Sequence, residues 1–333
     1  MKYVDIDFNN KTILITGGAG FIGSNLAFYF QENYPNSEVV VFDCFRSGEK
    51  FHNGNLVSFG HYKNLLGFDG KIICGDINNQ LDLDKLTKFN FDYIFHQAAI
   101  SDTRVYDQAR VMSTNLNSFY FFLDKAVTDE AKLIYASSAA TYGSLPAPQT
   151  IGHEEPENPY GFSKLMMDSL AKDYIKKYPK AHIVGLRFFN VYGEGEYYKN
   201  KNSSMVIQLG HQILDGKSPR LFEGSDEIFR DFVYIDDVIQ ANIKACDSSS
   251  GVFNVGSGIS RSFKDVADIL QSELDSHLAI EYFPNPYDGY QMNTLADISL
   301  SIKEMGYKPQ YSLEDGIRKY ISEIKSKYNE RID

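Results

Sequence analysis

The sequence predicts an α/β fold, a doubly wound parallel sheet with a smaller C-terminal α/β lobe. Apolar strand-like runs alternate with helical stretches through the first 190 residues, which is typical of a parallel sheet with helices on both faces. A glycine-rich loop joins the first of these runs to the first helical stretch. The chain after residue 190 is more broken and richer in loops, which indicates a second lobe.

The glycine-rich loop follows the apolar run Thr12–Thr16, which predicts a buried parallel strand. It reads Thr16-Gly-Gly-Ala-Gly-Phe-Ile-Gly23 and opens a helical stretch over Phe21–Asn33 that stops before Pro35. Glycines at these positions allow a tight turn and the close approach of a pyrophosphate to a helix N-terminus. The sequence therefore predicts a Rossmann-type dinucleotide site, with contacts from Gly17, Gly20, Phe21, Ile22 and Gly23.

The second predicted strand, Glu38–Phe42, ends at an acidic residue, Asp43. It stands about 20 residues beyond the glycine loop, where a carboxylate meets the adenosine ribose of a dinucleotide. Asp43 favours NAD, because a carboxylate accepts a hydrogen bond from the ribose 2′-OH and repels a 2′-phosphate. Arg46 and Lys50 could neutralise such a phosphate. These residues by themselves leave NAD and NADP open.

Later strands are predicted at Lys71–Cys74, Asp92–His96, Lys132–Ala136 and Ile183–Arg187, with helical patterns near 81–88, 104–128 and 160–178. Parallel sheets of this kind bind ligands at the carboxyl ends of their strands. Residues that follow the predicted strands are therefore expected to contact the cofactor: Cys44, Asp76, Ile77, Gln97, Ala98, Ala99, Ile100 and Ser101.

The helical stretch at 160–178 begins with Asn158 as N-cap and Pro159 at the first helical position. Tyr160 and Lys164 then stand one turn apart on one helix face. A neighbouring cation is expected to lower the tyrosine pKa from about 10, and Ser138 is expected to hydrogen-bond a substrate hydroxyl. These groups favour hydride chemistry at an alcohol carbon. A second match to the spacing, at Tyr197 and Lys201, lies in a polar loop without a helix start.

The later chain predicts a loop over Asn190–Asn202, a helix over Ser204–Leu214, and short strands at Arg230–Ile235 and Gly251–Val255 that return to the main sheet. Ser262 and Ser312 each precede a helical stretch, with an acid three residues later. We expect a cofactor-binding domain of residues 1–190 plus about 231–261, and a substrate-binding lobe of residues 191–230 plus about 262–333.

Composition restricts the class of protein. The net charge of −11 argues against a nucleic-acid partner, and no apolar run approaches the ~18 residues of a membrane span. Cys44, Cys74 and Cys246 have neither disulfide nor metal spacing, so no metal and a reducing cytoplasm are expected. The N-terminus lacks the pattern of a signal peptide. We also expect a homo-oligomer, with Phe119–Phe122 in the core rather than at the interface.

These motifs resemble the extended short-chain dehydrogenase/reductase family. The glycine loop, the Ser-Ser strand within Tyr135-Ala-Ser-Ser-Ala-Ala-Thr-Tyr-Gly143, and Tyr-x-x-x-Lys recur there in this order, and the resemblance covers nearly the whole chain. It implies a catalytic triad of Ser138, Tyr160 and Lys164, with Asn115 supporting the lysine. Sugar-nucleotide 4,6-dehydratases of the family carry an Asp-Glu pair where Ala139 and Ala140 stand here. Dehydration is therefore disfavoured, because alanine cannot transfer a proton.

Further stretches are similar to the branch of the family that epimerises an ADP-linked heptose at C6 for lipopolysaccharide cores. They are Phe189-Asn-Val-Tyr-Gly193 with Lys199, Leu221-Phe-Glu-Gly-Ser225 and Arg230-Asp-Phe-Val-Tyr234. The resemblance implies Tyr160 and Lys199 as two acid/bases, and NADP as a tightly bound, recycled cofactor whose phosphate contacts Lys50. It implies cofactor contacts from Asn115, Lys164, Val191 and Lys199, and substrate contacts from Asn190, Ser203, Gln208, Phe222, Glu223, Gly224, Ser225, Arg230 and Tyr290.

Other readings of the residues stay open. A 4-epimerase, or an enzyme on a differently activated heptose, would use much of the same machinery. A protein that binds NADP without chemistry is a third class, but such proteins commonly lose the tyrosine or the lysine. One departure from the family lies at Glu194-Gly-Glu196, where members usually have Pro-Arg-Glu, so an anion contact from that arginine is missing.

Overall fold

The computed structural model describes residues 2–285 and 291–332. Within these residues the strands are β1 Thr12–Thr16, β2 Glu38–Asp43, β3 Lys71–Cys74, β4 Tyr93–His96, β5 Lys132–Ser138, β6 Ile183–Phe188, β7 Asn190–Tyr192, β8 Arg220–Phe222, β9 Phe229–Tyr234, β10 Gly251–Val255, β11 Ser260–Ser262 and β12 Glu281–Phe283. Seven of them form a parallel sheet in the order β10-β6-β5-β4-β1-β2-β3. The strand order reverses between β1 and β4, which is where sheets of this kind bind ligands.

The helices of the described residues pack around this sheet: α1 Phe21–Asn33, α2 Gln80–Leu83, α3 Gln108–Met112, α4 Phe119–Asp129, α5 Pro159–Lys177, α6 Met205–Leu214, α7 Ile235–Ala245, α8 Phe263–Glu273, α9 Ser299–Met305 and α10 Leu313–Ile332. Short 3-10 turns occur at Tyr62–Leu65, Leu86–Lys88, Ala139–Tyr142 and Tyr197–Asn202, and a π turn at Ser113–Asn117. None of the helices in the described ranges is long and apolar enough to cross a bilayer.

Strand residues alternate between two cores, one on each face of the sheet. Ile13 and Val41 are fully buried in one core, and Leu14 and Val40 in the other. Burying such a side chain stabilises the fold by roughly 1.5–3 kcal/mol. A strand covered on both faces shows a continuous apolar run, which is the pattern that predicted β1 and β2.

Helix starts follow the capping signals of the sequence. The Asn158 side chain accepts a hydrogen bond of 2.8 Å from the Gly161 N–H, with proline at the first helical position of α5. Ser262 and Asp265 form a complete capping box at α8. The Ser312 hydroxyl accepts a hydrogen bond from the Asp315 N–H at the start of α10. The start of α5 is the important one for function, because it fixes where Tyr160 points.

One predicted strand pairs differently from the expectation. The run at 230–235 forms β9, but β9 pairs with β7 in parallel and with β11 in antiparallel, in a separate three-stranded sheet. The expected return to the main sheet is made only by β10, which pairs with β6. Alternation of side chains predicts a strand and leaves its partner undetermined.

Two other predicted segments also differ from the structure. The expected loop at 190–202 contains β7, and the helical pattern at 104–128 is interrupted by the π turn. The division into two domains stays a prediction.

Candidate active site

A cavity of about 620 Å³ lies at the carboxyl ends of the main-sheet strands. Among the residues predicted from the sequence, it is lined by Gly17, Gly20, Phe21, Ile22, Gly23, Asp43, Cys44, Asp76, Ile77, Gln97, Ala98, Ala99, Ile100, Ser101, Ser138, Tyr160, Lys164, Asn190, Val191, Lys199, Ser203 and Arg230. The fold therefore brings the dinucleotide motif, the Tyr-x-x-x-Lys motif and the later loop to one place.

The glycine loop is too tightly packed for side chains. Gly17 has a φ of +67°, and a Cβ there would lie 2.8 Å from the Ala98 nitrogen. A Cβ on Gly23 would lie 2.3 Å from the Gly17 carbonyl oxygen. The backbone of the loop therefore lines the cavity directly at the start of α1, which is the cradle that a pyrophosphate requires. These residues fit a dinucleotide cofactor.

Replacing Gly23 with alanine is expected to weaken cofactor binding by at least about tenfold and to destabilise the fold by about 1–3 kcal/mol. The new methyl group meets backbone atoms of Gly17 and Gly18, which cannot move without distorting the loop. Cofactor titration and thermal unfolding measure the two effects. Gly251→Ala is the matched control, because a Cβ there makes an ordinary contact of 3.5 Å with Phe253. Unchanged cofactor affinity in Gly23→Ala would contradict the role of the loop.

The corner expected to hold the adenosine ribose contains Asp43. Its buried carboxylate accepts hydrogen bonds from the Ala19 and Phe45 N–H groups, at 3.0 and 2.7 Å, and burial raises its pKa. The Arg46 guanidinium donates to the Tyr198 carbonyl oxygen. Lys50 is exposed and is not among the residues that line the cavity.

Sequence reasoning missed part of this corner. Arg110 lines the cavity and pairs with Glu49 at 2.8 Å, and the segment 57–60 forms a further part of the lining. Arg110 lies within a predicted helical stretch and the segment 57–60 within a long loop, so neither carries a motif. The placement of such residues follows from the tertiary fold.

Ser138 ends β5, and Tyr160 and Lys164 lie in the first two turns of α5. The Ser138 hydroxyl accepts a hydrogen bond of 3.1 Å from the Ala140 N–H, and it lies near enough to Tyr160 to lower the pKa of that phenol in part. The buried Lys164 ammonium donates a 2.6 Å hydrogen bond to the Ala136 carbonyl oxygen and lies 5.9 Å from the centre of the Tyr160 ring. The three groups face the same cavity.

The electrostatics of this triad differ from the expectation. Burial raises the pKa of Tyr160, and the nearby Ser138 hydroxyl lowers it in part. Lys164 is not among the groups that shift this pKa, so the expected lowering by the cation is wrong for the chain by itself. Burial also lowers the pKa of Lys164 to about 8, opposed by the charge of Asp168. Desolvation therefore penalises the charged form of both groups in the chain by itself.

Asn115 lies in the π turn, which is a common feature of functional sites. Its side chain accepts from the Ile100 N–H at 2.8 Å and donates to the Ser163 hydroxyl at 2.9 Å. Asn115 thus joins the cavity-lining segment at Ile100 to Ser163, the residue before Lys164, and its support of Lys164, expected from the family resemblance, stays a prediction.

A buried acid that the sequence analysis did not single out lies beneath the triad. Asp168, one turn after Lys164, accepts hydrogen bonds from Tyr135 at 2.8 Å, Ser137 at 3.0 Å and Arg187 at 2.9 Å. These bonds tie α5 to β5 and β6, the two strands that carry the site. The sequence signal that could have identified Asp168 is its position four residues after the motif lysine, on the same helix face.

Lys199 lies in the 3-10 turn Tyr197–Asn202, and its ammonium is 5.4 Å from the centre of the Phe21 ring. Burial lowers its pKa, and the charge of Glu196 raises it. Glu196 is fully buried and accepts hydrogen bonds from the Ser204 hydroxyl at 2.7 Å and from the Gly193 N–H at 3.3 Å. Lys199, the second acid/base candidate, thus lies on a loop whose two ends are joined by the buried Glu196 carboxylate.

Arg230 is buried at the cavity, and its guanidinium donates to the Phe229 carbonyl oxygen at 2.8 Å. The nearby acid Asp231 accepts from Ser257, Gly258 and Ala296, which fixes its carboxylate in the three-stranded sheet region. Several expected substrate contacts lie away from the cavity lining: Gln208, Phe222, Glu223, Gly224 and Ser225. Tyr290 lies outside the described residues.

Comparison with known proteins adds independent findings. A sequence model of the NAD-dependent epimerase/dehydratase family matches residues 13–256. The ADP-L-glycero-D-manno-heptose-6-epimerase of Helicobacter pylori is 49% identical, with a TM-score of 0.90, over 98% of this chain and 100% of that chain. A UDP-glucuronic acid 4-epimerase of Bacillus cereus, solved with UDP-glucuronic acid and NAD, is 28% identical over 95% of this chain and 100% of that chain, with a TM-score of 0.81. The UDP-glucose 4-epimerase of Thermotoga maritima is 25% identical over 95% and 99%, with a TM-score of 0.82.

Proposed function

The chain belongs to the NAD-dependent epimerase/dehydratase family, and we propose that it inverts C6 of the heptose in ADP-D-glycero-D-manno-heptose. It is an epimerase, and hence an isomerase, that uses a nicotinamide cofactor. The observation that carries the proposed substrate is the presence of Tyr160 and Lys199 on the same cavity. The high identity to the Helicobacter pylori enzyme over both full lengths supports the same substrate.

The proposed chemistry moves one hydride and one proton in each direction. A bound nicotinamide cofactor would supply hydride transfer from C6 to give a 6-ketone, and hydride transfer back to the opposite face of that ketone. Tyr160 would take the proton from the C6 hydroxyl as its phenolate, a form that burial disfavours in the chain by itself and that the positive charge of a bound oxidised nicotinamide would favour. Ser138 would hold the same hydroxyl by a hydrogen bond. C6 lies outside the pyranose ring, so rotation of the exocyclic group presents its other face and moves the oxygen. Lys199 then gives a proton to that oxygen, because one phenol cannot act from both sides.

The remaining roles follow from charge and placement. Lys164 would hold the cofactor ribose, and Asn190 and Ser203 would contact the sugar nucleotide from the cavity wall. The guanidinium of Arg230 suits a diphosphate, whose oxygens match its planar fork. Contacts from Gln208 and from the 222–225 segment remain predictions that require the nucleotide to extend beyond the cavity lining.

Incubation of the purified protein with ADP-D-glycero-D-manno-heptose, followed by NMR at C6, tests the proposal. The expected result is an equilibrium mixture of the two C6 epimers. Absence of inversion by the cofactor-loaded protein would overturn the assignment of ADP-heptose as the substrate. UDP-glucose is the parallel substrate, because the UDP-sugar 4-epimerases share the fold; inversion at C4 of that sugar would establish the alternative function. Binding of cofactor with neither reaction would favour a non-catalytic role.

For the cofactor we propose NADP. Both carboxylate oxygens of Asp43 already accept hydrogen bonds from backbone N–H groups. They are therefore less available to accept a hydrogen bond from the ribose 2′-hydroxyl. Arg46 and Lys50 follow in the same loop, and Arg110 supplies a further positive charge at the cavity. NAD is the alternative, and the carboxylate itself favours it.

Replacing Lys50 with methionine is expected to lower the affinity for NADP by about tenfold, the effect of one charge-assisted hydrogen bond, and to leave the affinity for NAD unchanged. Titration of the protein freed of cofactor measures both. Lys88→Met, an exposed lysine at the end of a distant 3-10 turn, is the matched control. Equal losses for the two cofactors, or no loss, would remove Lys50 from the phosphate site.

The wider setting is part of the same proposal. An epimerised ADP-heptose would supply lipopolysaccharide core synthesis, a cytoplasmic role that agrees with three free cysteines. No group of three or more metal-ligating side chains occurs among the described residues.

A homo-oligomer remains a prediction. Phe119 and Phe122 are fully buried, as expected for core residues, whereas Tyr120 is about half exposed.

A further inference from the structure

The loop that carries Lys199 is held on its side away from the reaction by its neighbour Tyr198. The Tyr198 side chain is buried, with 6% of its surface exposed. Its ring lies flat on the ring of His61, with 3.9 Å between ring centres and an angle of 2° between planes. His61 directly follows the segment 57–60 that lines the cavity. The stack therefore joins the Lys199 loop to the wall of the cofactor site.

The hydroxyl of Tyr198 reaches the C-terminal helix α10. It donates a 3.0 Å hydrogen bond to the Glu330 carboxylate and accepts one of 3.0 Å from the Lys327 ammonium. Lys327 pairs with Glu330 at 2.8 Å, and Lys63 pairs with the same carboxylate. We call His61, Lys63, Tyr198, Lys327 and Glu330 the Tyr198 cluster. It connects three segments that are distant in sequence.

The backbone of Tyr198 has a further partner. Its carbonyl oxygen accepts a hydrogen bond from the Arg46 guanidinium, which comes from the loop after Asp43. The ring of Tyr198 therefore contacts the cavity wall, its hydroxyl contacts the C-terminal helix, and its carbonyl oxygen contacts the loop after Asp43. These contacts restrict the position of Tyr198, and through the peptide bond they restrict the backbone of Lys199.

Glu196 closes the two ends of the segment that carries Lys199, at Gly193 and Ser204, and the Tyr198 cluster holds its middle. Tyr197–Asn202 is a single 3-10 turn with a break at Asn200, where φ is 55° and ψ is −124°. Short 3-10 turns have poor hydrogen-bond geometry, and a lysine side chain is long and flexible. A displacement of the backbone at Lys199 would therefore move its ammonium away from its place over the Phe21 ring. A shift of about 1 Å at a reacting group can cost 10²-fold in rate.

We infer that the Tyr198 cluster is a positioning device for Lys199, in which the last turns of the C-terminal helix hold the second acid/base in register with the substrate. The inference rests on the proposed function, since it assigns a purpose to the cluster through Lys199. Tyr198 is a positioning residue here, because it acts on the substrate only through its neighbour. The C-terminal helix thereby gains a role in the chemistry of a site whose lining residues all precede it in the sequence.

Two variants test the inference, each with a matched control. Tyr198→Phe keeps the ring on His61 and removes the hydroxyl, and Glu330→Ala removes the carboxylate. Tyr197→Phe removes the hydroxyl of the adjacent residue and keeps the ring that packs edge-on against His211. Glu314→Ala removes a partly exposed ion pair with Arg261 in the first turn of the same helix. Each protein is assayed for C6 inversion by NMR and for rapid reduction of the bound cofactor by each epimer separately.

The expected result is a fall of about 10–100-fold in inversion for Tyr198→Phe and Glu330→Ala, while the epimer served by Tyr160 still reduces the cofactor at the normal rate. A merely structural role would lower both rates together, by reducing the amount of folded protein. Equal losses in the two assays, or no loss in either, would overturn the inference. Failure of the unmodified protein to invert ADP-heptose would instead overturn the proposed function. Both controls are expected to keep the rates of the unmodified protein.

Discussion

Replacing Tyr160 with phenylalanine is expected to lower C6 inversion by about 10²–10⁴-fold, the usual contribution of a positioned acid/base. The substitution keeps the ring at the start of α5 and removes the hydroxyl that faces Ser138 across the cavity. Without that hydroxyl, one epimer has no group to take its proton as the hydride leaves. Rapid mixing of that epimer with cofactor-loaded protein is expected to show almost no cofactor reduction, and NMR to show no inversion.

The sequence contains its own control for this experiment. Tyr197 has the same spacing to Lys201 that Tyr160 has to Lys164, but it lies in the 3-10 turn and does not line the cavity. Tyr197→Phe is therefore expected to retain full activity and full cofactor reduction. Substantial inversion by Tyr160→Phe, with the cofactor bound, would show that another group takes the proton.

Replacing Lys199 with methionine is expected to lower inversion by a similar factor, about 10²–10⁴-fold, but in a different way. Methionine keeps an unbranched apolar chain against Phe21 and cannot carry a proton. The epimer served by Tyr160 is expected to reduce the bound cofactor normally, because that step does not use Lys199. The ketone is then returned to the same epimer, so the hydride is exchanged without inversion.

Lys201→Met is the matched control for Lys199, since Lys201 is an exposed lysine in the same 3-10 turn. Two results would contradict the two-base mechanism. Full inversion by Lys199→Met would indicate an enzyme with a single acid/base. A higher KM with unchanged kcat would make Lys199 a contact for the diphosphate, because a group that only binds affects ground and transition states equally.

Much of the site was predictable because it depends on local sequence. The glycine loop is dictated by close backbone contacts at Gly17 and Gly23, and only glycine tolerates them. The start of α5 is dictated by Asn158 and Pro159, which act on their immediate neighbours. Signals of this kind are complete within a few residues, so they can be recognised before the fold is known.

The parts that were not predictable depend on distant partners. The pattern of β9 identifies a strand, but its place beside β7 and β11 depends on where the lobe packs. The pKa of Tyr160 depends on how deeply the cavity buries it, which no spacing reveals. Arg110 reaches the cavity because its helix packs beside the ribose corner. Lys50 is the opposite case. Its position after Asp43 suggested a contact with the cofactor phosphate, but its side chain is exposed and does not line the cavity.

The position of β10 has a consequence for how the protein is made. This strand completes one side of the main sheet by pairing with β6, yet the ribosome delivers it only after the whole of β7, α6, β8, β9 and α7. Until then the backbone groups along one side of the apolar run Ile183–Phe188 have no partner and can pair with another nascent chain. The seven-stranded sheet is therefore complete only after the segment from β7 to α7 has been synthesised.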